Sequence, residues 1–298
     1  MPRADILFAA DLHGHREYYH AALDLARRLE ASALLLGGDL APHGDVPSQR
    51  EFYVEFLVPL LAAYRAEAGA AQIHFVLGND DWSANLPLLT GSGIPGLHHV
   101  HREVRPLLGD SWIAGLASVP MTPFRMKDWD RWEEGLDPAA VLQGLRSGPD
   151  GLLHPFDFRG REEAERLALD LEALEQGAGA ARQPLVCLFH GPPHGTSLDQ
   201  IAGGAHVGSR EVRRFLERAR PLVSLHGHIH ESPAVSGQFA DLVGETICVN
   251  PGQHPQRGLH AVWFDLANVA GTLTHSLFGP ARLPRAPGGT TYPAGGTA

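Results

Sequence analysis

The segment ILFAADLHG, residues 6–14, runs through five apolar residues and then reaches Asp11 and His13, two side chains that can bind a metal ion. Four more short apolar segments occupy residues 33–36, 73–77, 185–189 and 222–225, and each is also followed by polar residues. Segments this short and this continuously apolar are typical of strands buried on both faces of a sheet. The sequence therefore predicts five buried strands that each lead into a polar loop.

Helical periodicity separates these strands. Apolar residues recur at three- and four-residue steps over residues 19–29, 52–67 and 164–174, as on one face of an amphipathic helix. A further helix is predicted at 210–218, with Ser209 as its N-cap. Shorter strands are predicted within 100–115 and around 245–250, 259–265 and 271–278. Strands that alternate with helices in this way indicate a layered α/β domain.

We expect a single domain over residues 1–279. Within it, residues 116–160 contain several prolines together with Trp129 and Trp132, and the regular alternation stops there. This segment is interpreted as an excursion above the sheet, close to the polar loops. Residues 280–298 are rich in Pro, Gly and Thr, and we expect them to form a disordered tail.

Composition narrows the class of protein. The chain has 298 residues and a formal net charge of −10, which disfavours nonspecific nucleic-acid binding because that requires a basic surface. No stretch of about 18 apolar residues is present, so no membrane span is expected. Cys187 and Cys248 lie within predicted strands and are interpreted as buried free thiols of a cytoplasmic protein.

Polar residues follow each of the five predicted strands. Because ligands of open α/β sheets bind beyond the carboxyl ends of the strands, we expect these loops to bring seven side chains to one edge of one sheet. The seven side chains are Asp11, His13, Asp39, Asn79, His190, His228 and His230.

The chemistry of these seven side chains favours a metal site. Carboxylate and amide oxygens with imidazole nitrogens, and no thiolate, suit divalent Mn, Fe, Co, Ni or Zn. Seven such groups are more than one octahedral ion can use, and one Asp can bridge two ions, so the sequence predicts a two-metal site. Any single fragment would be weak evidence, since Asp and Asn are common turn residues, and the prediction depends on the joint pattern.

The blocks DLHG, GGD, GND, HG and GHIH, in this order, resemble the signature of calcineurin-like metallophosphoesterases over about residues 5–252. The resemblance implies an α/β fold, a four-layer α/β/β/α sandwich with metals at the carboxyl ends of the strands. It further implies hydrolysis of phosphate esters by a hydroxide that bridges two metal ions. By the same resemblance, one ion is held by Asp11, His13, Asp39 and His230, and Asp39 bridges to a second ion held by Asn79, His190 and His228.

Two positions depart from the family pattern. The third block of the family reads Gly-Asn-His and then an acidic residue, whereas this chain has Asp80 at the His position and Asp81 at the acidic position. An ionised Asp80 would repel phosphate and be a poor general acid unless burial raises its pKa. His43 replaces the Arg of protein Ser/Thr phosphatases, which disfavours that branch. The loop after His190 resembles a bacterial and archaeal branch of small phosphoesterases instead.

The sequence thus predicts a metal-dependent hydrolase of phosphodiesters or activated phosphomonoesters, with Mn²⁺ as the first choice for its two ions and Fe, Zn, Ni or Co as alternatives. Asn79 and Asp80 are the candidate catalytic residues, and His194 is either a substrate contact or an exposed loop residue. The substrate is a small phosphate ester, with nucleotides among the candidates. Two alternatives stay open. Asp80 keeps open a catalytically weak metal-bearing scaffold or nucleotide-binding regulatory protein, although the intact metal ligands in all five blocks count against it. A nuclease is disfavoured by the negative charge and by the absence of a Lys/Arg run.

Overall fold

The computed structural model describes residues 4–135, 140–178, 184–254 and 256–283. The five strands predicted from the apolar segments are present, with bounds that agree within one residue. All strands in the described ranges are β1 Ile6–Ala9, β2 Ala33–Gly37, β3 Gln72–Val76, β4 Leu97–His99, β5 Val104–Pro106, β6 Trp112–Leu116, β7 Val119–Pro120, β8 Asp130–Arg131, β9 Gln143–Ser147, β10 Leu153–Asp157, β11 Leu185–Phe189, β12 Val223–Leu225, β13 Ala240–Val243, β14 Thr246–Val249, β15 Val262–Phe264, β16 Thr274–His275 and β17 Gly279–Pro280.

The helices surround these strands. Ser209 caps α6 as predicted, because its side chain accepts a hydrogen bond from the Val212 N–H at 2.9 Å. In the described ranges no helix combines the length and the apolar character needed to cross a bilayer. The α-helices are α1 Arg16–Arg28, α2 Val46–Phe52, α3 Val58–Arg65, α4 Leu86–Thr90, α5 Leu167–Ala178, α6 Arg210–Ala219, α7 Ser232–Ser236 and α8 Val269–Thr272.

The helix predicted at 52–67 begins earlier and changes its hydrogen bonding along the way. Asp45 caps α2 by accepting from the Ser48 N–H at 2.9 Å, so the helix starts at Val46. A π-helical turn, Tyr53–Leu57, then joins α2 to α3. Pro59 lies in the first turn of α3 and has no N–H, so a regular α-helical ladder cannot continue through this point.

Two sheets, rather than one, carry the five predicted strands. The first sheet has the order β17-β16-β15-β1-β2-β3-β4, and the second has the order β13-β14-β12-β11-β6-β5. The expectation that all five loops lie at the edge of one sheet is therefore wrong: β1, β2 and β3 belong to the first sheet, and β11 and β12 to the second. Strands buried on both faces need apolar cover on each side, and the two sheets cover each other.

The packing of β11 shows how the layers are ordered. Val186 and Leu188 contribute to the apolar cluster shared with the first sheet. The alternate residues Cys187 and Phe189 pack instead with residues of α5 and α6 on the outer face. On the far side, α1 and α3 pack on the first sheet. The result is the four-layer α/β/β/α sandwich that the family resemblance implies.

The two cysteines are buried free thiols on strands of the second sheet, as predicted. Cys187 of β11 pairs in register with Ser224 of β12, and Ser224 pairs with Cys248 of β14. A whole strand therefore separates the two sulfurs.

Residues 116–160 carry two short strand pairs, β7 with β8 and the hairpin of β9 and β10. Between β7 and β8, the Lys127 Nζ lies 2.6 Å from the Asp130 Oδ2, and both side chains are fully buried. Lys127 also donates to the Thr122 carbonyl at 2.9 Å, and Asp130 accepts from the Thr122 N–H at 2.8 Å. The buried pair therefore fixes the path of residues 120–124.

The C-terminal part differs from the prediction. The strand expected at 271–278 is replaced by the end of α8 and the short strand β16, because Asn268 accepts from the Gly271 N–H at 3.1 Å and starts a helix there. The strand expected at 259–265 is shorter, Val262–Phe264. β17 ends at Pro280, one residue past the boundary placed at 279, and residues 284–298 of the tail lie outside the described residues.

The Asp130→Asn variant tests the buried pair. Removing one partner leaves the Lys127 charge buried and uncompensated, so we expect the free energy of unfolding in urea to fall by about 3–5 kcal/mol. Glu67→Gln is the matched control, because Glu67 forms an exposed pair with Arg27 at 2.6 Å that solvent screens. Equal losses in the two variants would contradict this account.

Candidate metal centre

The loops after β1, β2, β3, β11 and β12 meet at one end of the sandwich. His190, which follows β11 in the second sheet, donates from Nδ1 to the carbonyl of Gly37 in β2 at 2.7 Å. The His228 N–H donates to the Asp11 Oδ1 at 3.0 Å. The first contact links a loop of the second sheet to a strand of the first, and the second contact links loops of the two sheets. Together they bring the predicted side chains to one place.

Four of the seven predicted side chains stand on left-handed backbone. The φ angle is 57° at Asp11, 41° at His13, 51° at Asp39 and 67° at His228. Such angles are uncommon for residues with a Cβ and cluster at functional sites, where the surrounding structure holds them. The backbone of these loops is therefore strained, and the strained conformation places the four side chains at the site.

Asp11, His13, Asp39 and His230 form the tighter part of the site, with one ligand atom of each within 4.8 Å of the others. The His13 and His230 Nε2 atoms are 3.1 Å apart. The His13 Nε2 lies 3.7 Å from the Asp39 Oδ2, and the His230 Nε2 lies 3.5 Å from the Asp11 Oδ1. Four donor atoms thus face one small volume.

The remaining three predicted side chains, Asn79, His190 and His228, lie on the other side of Asp39. The His190 Nε2 lies 3.5 Å from the Asp39 Oδ2 and 3.1 Å from the Asn79 Oδ1. The His228 ring packs beside His190, with the ring centroids 5.3 Å apart. Because the His190 Nδ1 donates to a backbone carbonyl, its Nε2 is the nitrogen that faces the site.

The electrostatics of the site favour positive charge. Burial by itself lowers the pKa of both His190 and His230. The negative charge of Asp39 outweighs this effect at His190, and that of Asp11 outweighs it at His230, so that each pKa rises to about 9. Conversely, burial raises the pKa of Asp39, but His190 and His13 hold it below its ordinary value. Burial lowers the pKa of His228 to about 3. The two carboxylates therefore stay ionised and attract cations.

The residues present fit a metal ion. In the described part of the chain, the buried Asp11 Oδ2 has no hydrogen-bond partner. A Cβ at Gly78 would collide with the Asp39 carboxylate and with the His190 Nε2, and one at Gly227 would lie 2.6 Å from the Asp11 Oδ2. An unpaired carboxylate oxygen and nearby imidazole nitrogens, in a space that only glycine leaves open, are suited to a divalent cation with oxygen and nitrogen ligands.

Asp81 stabilises the loops that carry Asp39 and Asn79. Its carboxylate accepts from the N–H groups of Leu40 at 2.9 Å, Ala41 at 2.8 Å and Gly78 at 2.9 Å. Burial, followed by the nearby Asp39, raises the pKa of Asp81 to about 7. Asp81 is thus tied to the backbone of the loops after β2 and β3.

Asp80 contacts the edge of the site rather than its centre. Its N–H donates to the Asp39 Oδ1 at 2.8 Å, and its Oδ2 lies 3.0 Å from the His43 Nδ1. The His43 ring stacks on His13 with centroids 4.5 Å apart. Burial, followed by the charge of Asp39, raises the pKa of Asp80 to about 6. The sequence placed His43 in the second block, but gave no signal that it pairs with Asp80.

His194 lies beside the site in the wall of a cavity of about 420 Å³ that His228 also lines. Most of this wall was not found by sequence reasoning, since its apolar residues come from two irregular segments, 120–124 and 201–208. No periodicity marks such residues, and composition does not distinguish them from ordinary core positions.

Comparisons with known proteins agree with this architecture. The profile of the family described as calcineurin-like phosphoesterase matches residues 4–232. No curated protein matches the chain significantly. One solved structure is 16% identical with a TM-score of 0.62, and the alignment covers 94% of this chain and 100% of that one. TT1561 of Thermus thermophilus is 19% identical with a TM-score of 0.57, covering 93% and 99%. At these identities the likeness concerns the fold alone.

The fold is also similar to that of a protein described as an anchor. GAP50, the anchor in the inner membrane complex of Plasmodium, is 10% identical with a TM-score of 0.50, covering 92% of this chain and 84% of that one. The shared architecture therefore does not by itself decide what the site does.

The Gly78→Ala variant tests the steric account of the site. The added methyl group must displace the Asp39 carboxylate or the His190 ring, so we expect Mn²⁺ affinity to fall about 10–100-fold, the range for groups that support metal ligands. Isothermal titration with Mn²⁺ gives the measurement. Gly177→Ala on helix α5 is the control, and an unchanged affinity in Gly78→Ala would contradict the prediction.

Proposed function

The chain belongs to the calcineurin-like phosphoesterase family, and we propose that it is a metal-dependent phosphoesterase that hydrolyses phosphodiesters or activated phosphomonoesters. The observation that carries the proposal is the position of the Asp39 Oδ2, 3.7 Å from the His13 Nε2 and 3.5 Å from the His190 Nε2. A carboxylate flanked by imidazoles of two different loops is suited to link two cations.

The proposal assigns the side chains to two divalent ions, with Mn²⁺ as the first choice. Asp39 contributes to both ions, in keeping with its central place. The other ligands are Asp11, His13 and His230 for one ion, and Asn79, His190 and His228 for the other. The observations in support are the unpaired Asp11 Oδ2 and the short distance between the His13 and His230 Nε2 atoms.

When bound, two divalent ions supply a water nucleophile that is active near neutral pH and neutralise the charge of the phosphate. Residues of the chain orient the metal ligands and the phosphate. The Gly37 carbonyl fixes the His190 ring through its Nδ1. Asn79 directs its Oδ1 toward His190 and donates from Nδ2 to the Asp80 Oδ1 at 3.1 Å, and that amide can donate to a phosphate oxygen instead.

Asp80 selects the charge of the substrate in this proposal. Burial raises its pKa to about 6, so the side chain is mainly ionised at neutral pH. A carboxylate at this edge repels a dianionic monoester more strongly than a monoanionic diester. An ionised Asp80 is also a poor proton donor, which favours leaving groups that need little protonation.

The central experiment measures hydrolysis of bis-p-nitrophenyl phosphate together with bound metal. We expect the wild-type protein to hold two Mn²⁺ ions and to be active. Asp39→Asn should lose both ions and reduce activity about a hundredfold or more. His190→Ala and His230→Ala should each retain one ion.

Asp24→Asn, the same exchange at an exposed pair with Arg27, is the matched control. A wild-type protein that binds both ions but hydrolyses no ester would favour a metal-bearing scaffold. Retention of both ions by Asp39→Asn would exclude the shared carboxylate.

The Asp80→His variant tests the leaving-group argument. An imidazole can donate a proton at neutral pH, so turnover of phenyl diesters should rise about tenfold or more, while turnover of p-nitrophenyl diesters should change little. Asp80→Asn removes the charge without supplying an acid and separates repulsion from proton transfer. No gain for phenyl esters in Asp80→His would sink the argument.

A further inference from the structure

A cavity of about 420 Å³ opens beside the candidate metal centre, and His228 belongs to both. Its volume lies within the range of about 300–1,000 Å³ that is usual for small-molecule sites, and it is far larger than one water molecule needs. The wall is mainly apolar, with side chains from the β7–β8 connection and from the loop before α6. Those that matter here are Met121, Phe124, Ile201, Val207 and Ile229.

One side of the cavity is held by the buried pair described above. Lys127 and Asp130 bind the backbone of Thr122 from both its carbonyl and its N–H. This fixes the segment that presents Met121 and Phe124 to the cavity. Phe124 keeps 52% of its surface exposed, although an aromatic side chain of this size is usually buried. A rigid segment that holds an aromatic ring at an open wall is suited to contact a ligand.

The other side is held by Asp199, which is fully buried. Its carboxylate accepts from the N–H groups of Gly195 and Gly208, each at 3.0 Å, and lies 2.7 Å from the His206 Nδ1. The loop that presents Ile201 and Val207 is therefore fixed at both ends by one carboxylate. Both walls exist before any ligand binds, so little ordering has to occur on binding.

Several polar side chains at the cavity already bind other parts of the protein. Glu133 accepts from the Ser209 hydroxyl at 2.6 Å and from the Arg210 N–H. The Arg210 Nη1 donates to the Gly135 carbonyl at 2.6 Å, and His206 is paired with Asp199. With these groups engaged, the surface offered to a ligand is chiefly apolar, apart from the side chains of His194 and Glu231.

We propose that this cavity receives the organic group of the substrate, a bulky and mainly apolar substituent such as an aryl group, while the phosphate lies at the metal centre. The inference rests on the proposed function and adds its substrate class: phosphate esters of a large apolar alcohol or phenol. The continuity at His228 supports it, because a phosphate held at this end of the site would extend its ester group past His228 into the cavity.

A pair of phosphonates tests the inference through binding, without any hydrolysis. 1-Naphthylmethylphosphonate and methylphosphonate share the charged group and a C–P bond that phosphoesterases do not cleave, and they differ only in the apolar substituent. Titrated into the Mn²⁺-loaded protein, the naphthyl compound should bind at least about tenfold more tightly, since burial of an aryl group from water is favourable. Equal affinities would overturn the proposal.

Two alanines of the same loop give a matched pair of variants. Ala205 lines the cavity, whereas Ala202 is exposed and does not belong to the wall formed by the described residues. Ala205→Trp should fill the mouth and abolish the preference for the naphthyl compound, while Ala202→Trp should retain it. Retention of the preference in Ala205→Trp would also overturn the proposal.

A second variant guards against misfolding of Ala205→Trp. Val207→Thr keeps the volume of the side chain but makes the wall more polar, so the naphthyl preference should fall severalfold with an unchanged circular dichroism spectrum. The failure of the proposed function would appear separately. If the protein prefers the naphthyl compound but hydrolyses no ester, the proposal for the cavity stands and the proposed enzymatic function is wrong.

Discussion

The contact between Asp39 of the first sheet and His190 of the second is the constraint on which the site depends. Five loops of two separate sheets must end within a few ångströms of one another, and this requires the sheets to keep one relative position. The His190 bond to the Gly37 carbonyl supplies this positioning, and glycines such as Gly78 allow the close approach. The cavity beside His228 borders the same arrangement, because His228 lies in one of these loops.

The features that could be predicted from the sequence are those that depend on neighbouring residues in the chain. The strands and the seven polar side chains were predicted because buried strands read as apolar runs and loops at their ends read as polar blocks. The five apolar segments alone could not show that the strands divide into two sheets. An apolar segment indicates that a strand is buried, but it does not indicate which strand lies next to it. The π-helical turn at Tyr53–Leu57 depends on one proline inside an otherwise regular pattern. The cavity wall comes from irregular segments whose shape is decided by buried carboxylates such as Asp199, and these look like ordinary loop residues in the sequence.

Several buried polar side chains fix the conformation of loops by binding their backbone. Asp81 and Asp199 each accept from several backbone N–H groups, and Asp130 accepts from that of Thr122. Asn250 donates to the carbonyls of Leu198, Gly227 and Ile229. Buried polar groups are costly unless fully bonded, so each of these side chains specifies one loop conformation. The strained backbone at the site is compatible with folding because this framework and the large apolar core hold it in place.

The placement of the two cysteines has a consequence for experiments on the protein's dynamics. With adjacent strands about 4.8 Å apart, a strand between Cys187 and Cys248 puts them beyond the reach of a disulfide, which needs Cα atoms within about 7 Å. Both thiols are inaccessible to solvent beneath α5 and α6, and burial raises the pKa of each, so a thiol reagent reacts only when this helical layer moves away from the second sheet. The rate of alkylation therefore reports directly on the opening of that layer, with no engineered label required.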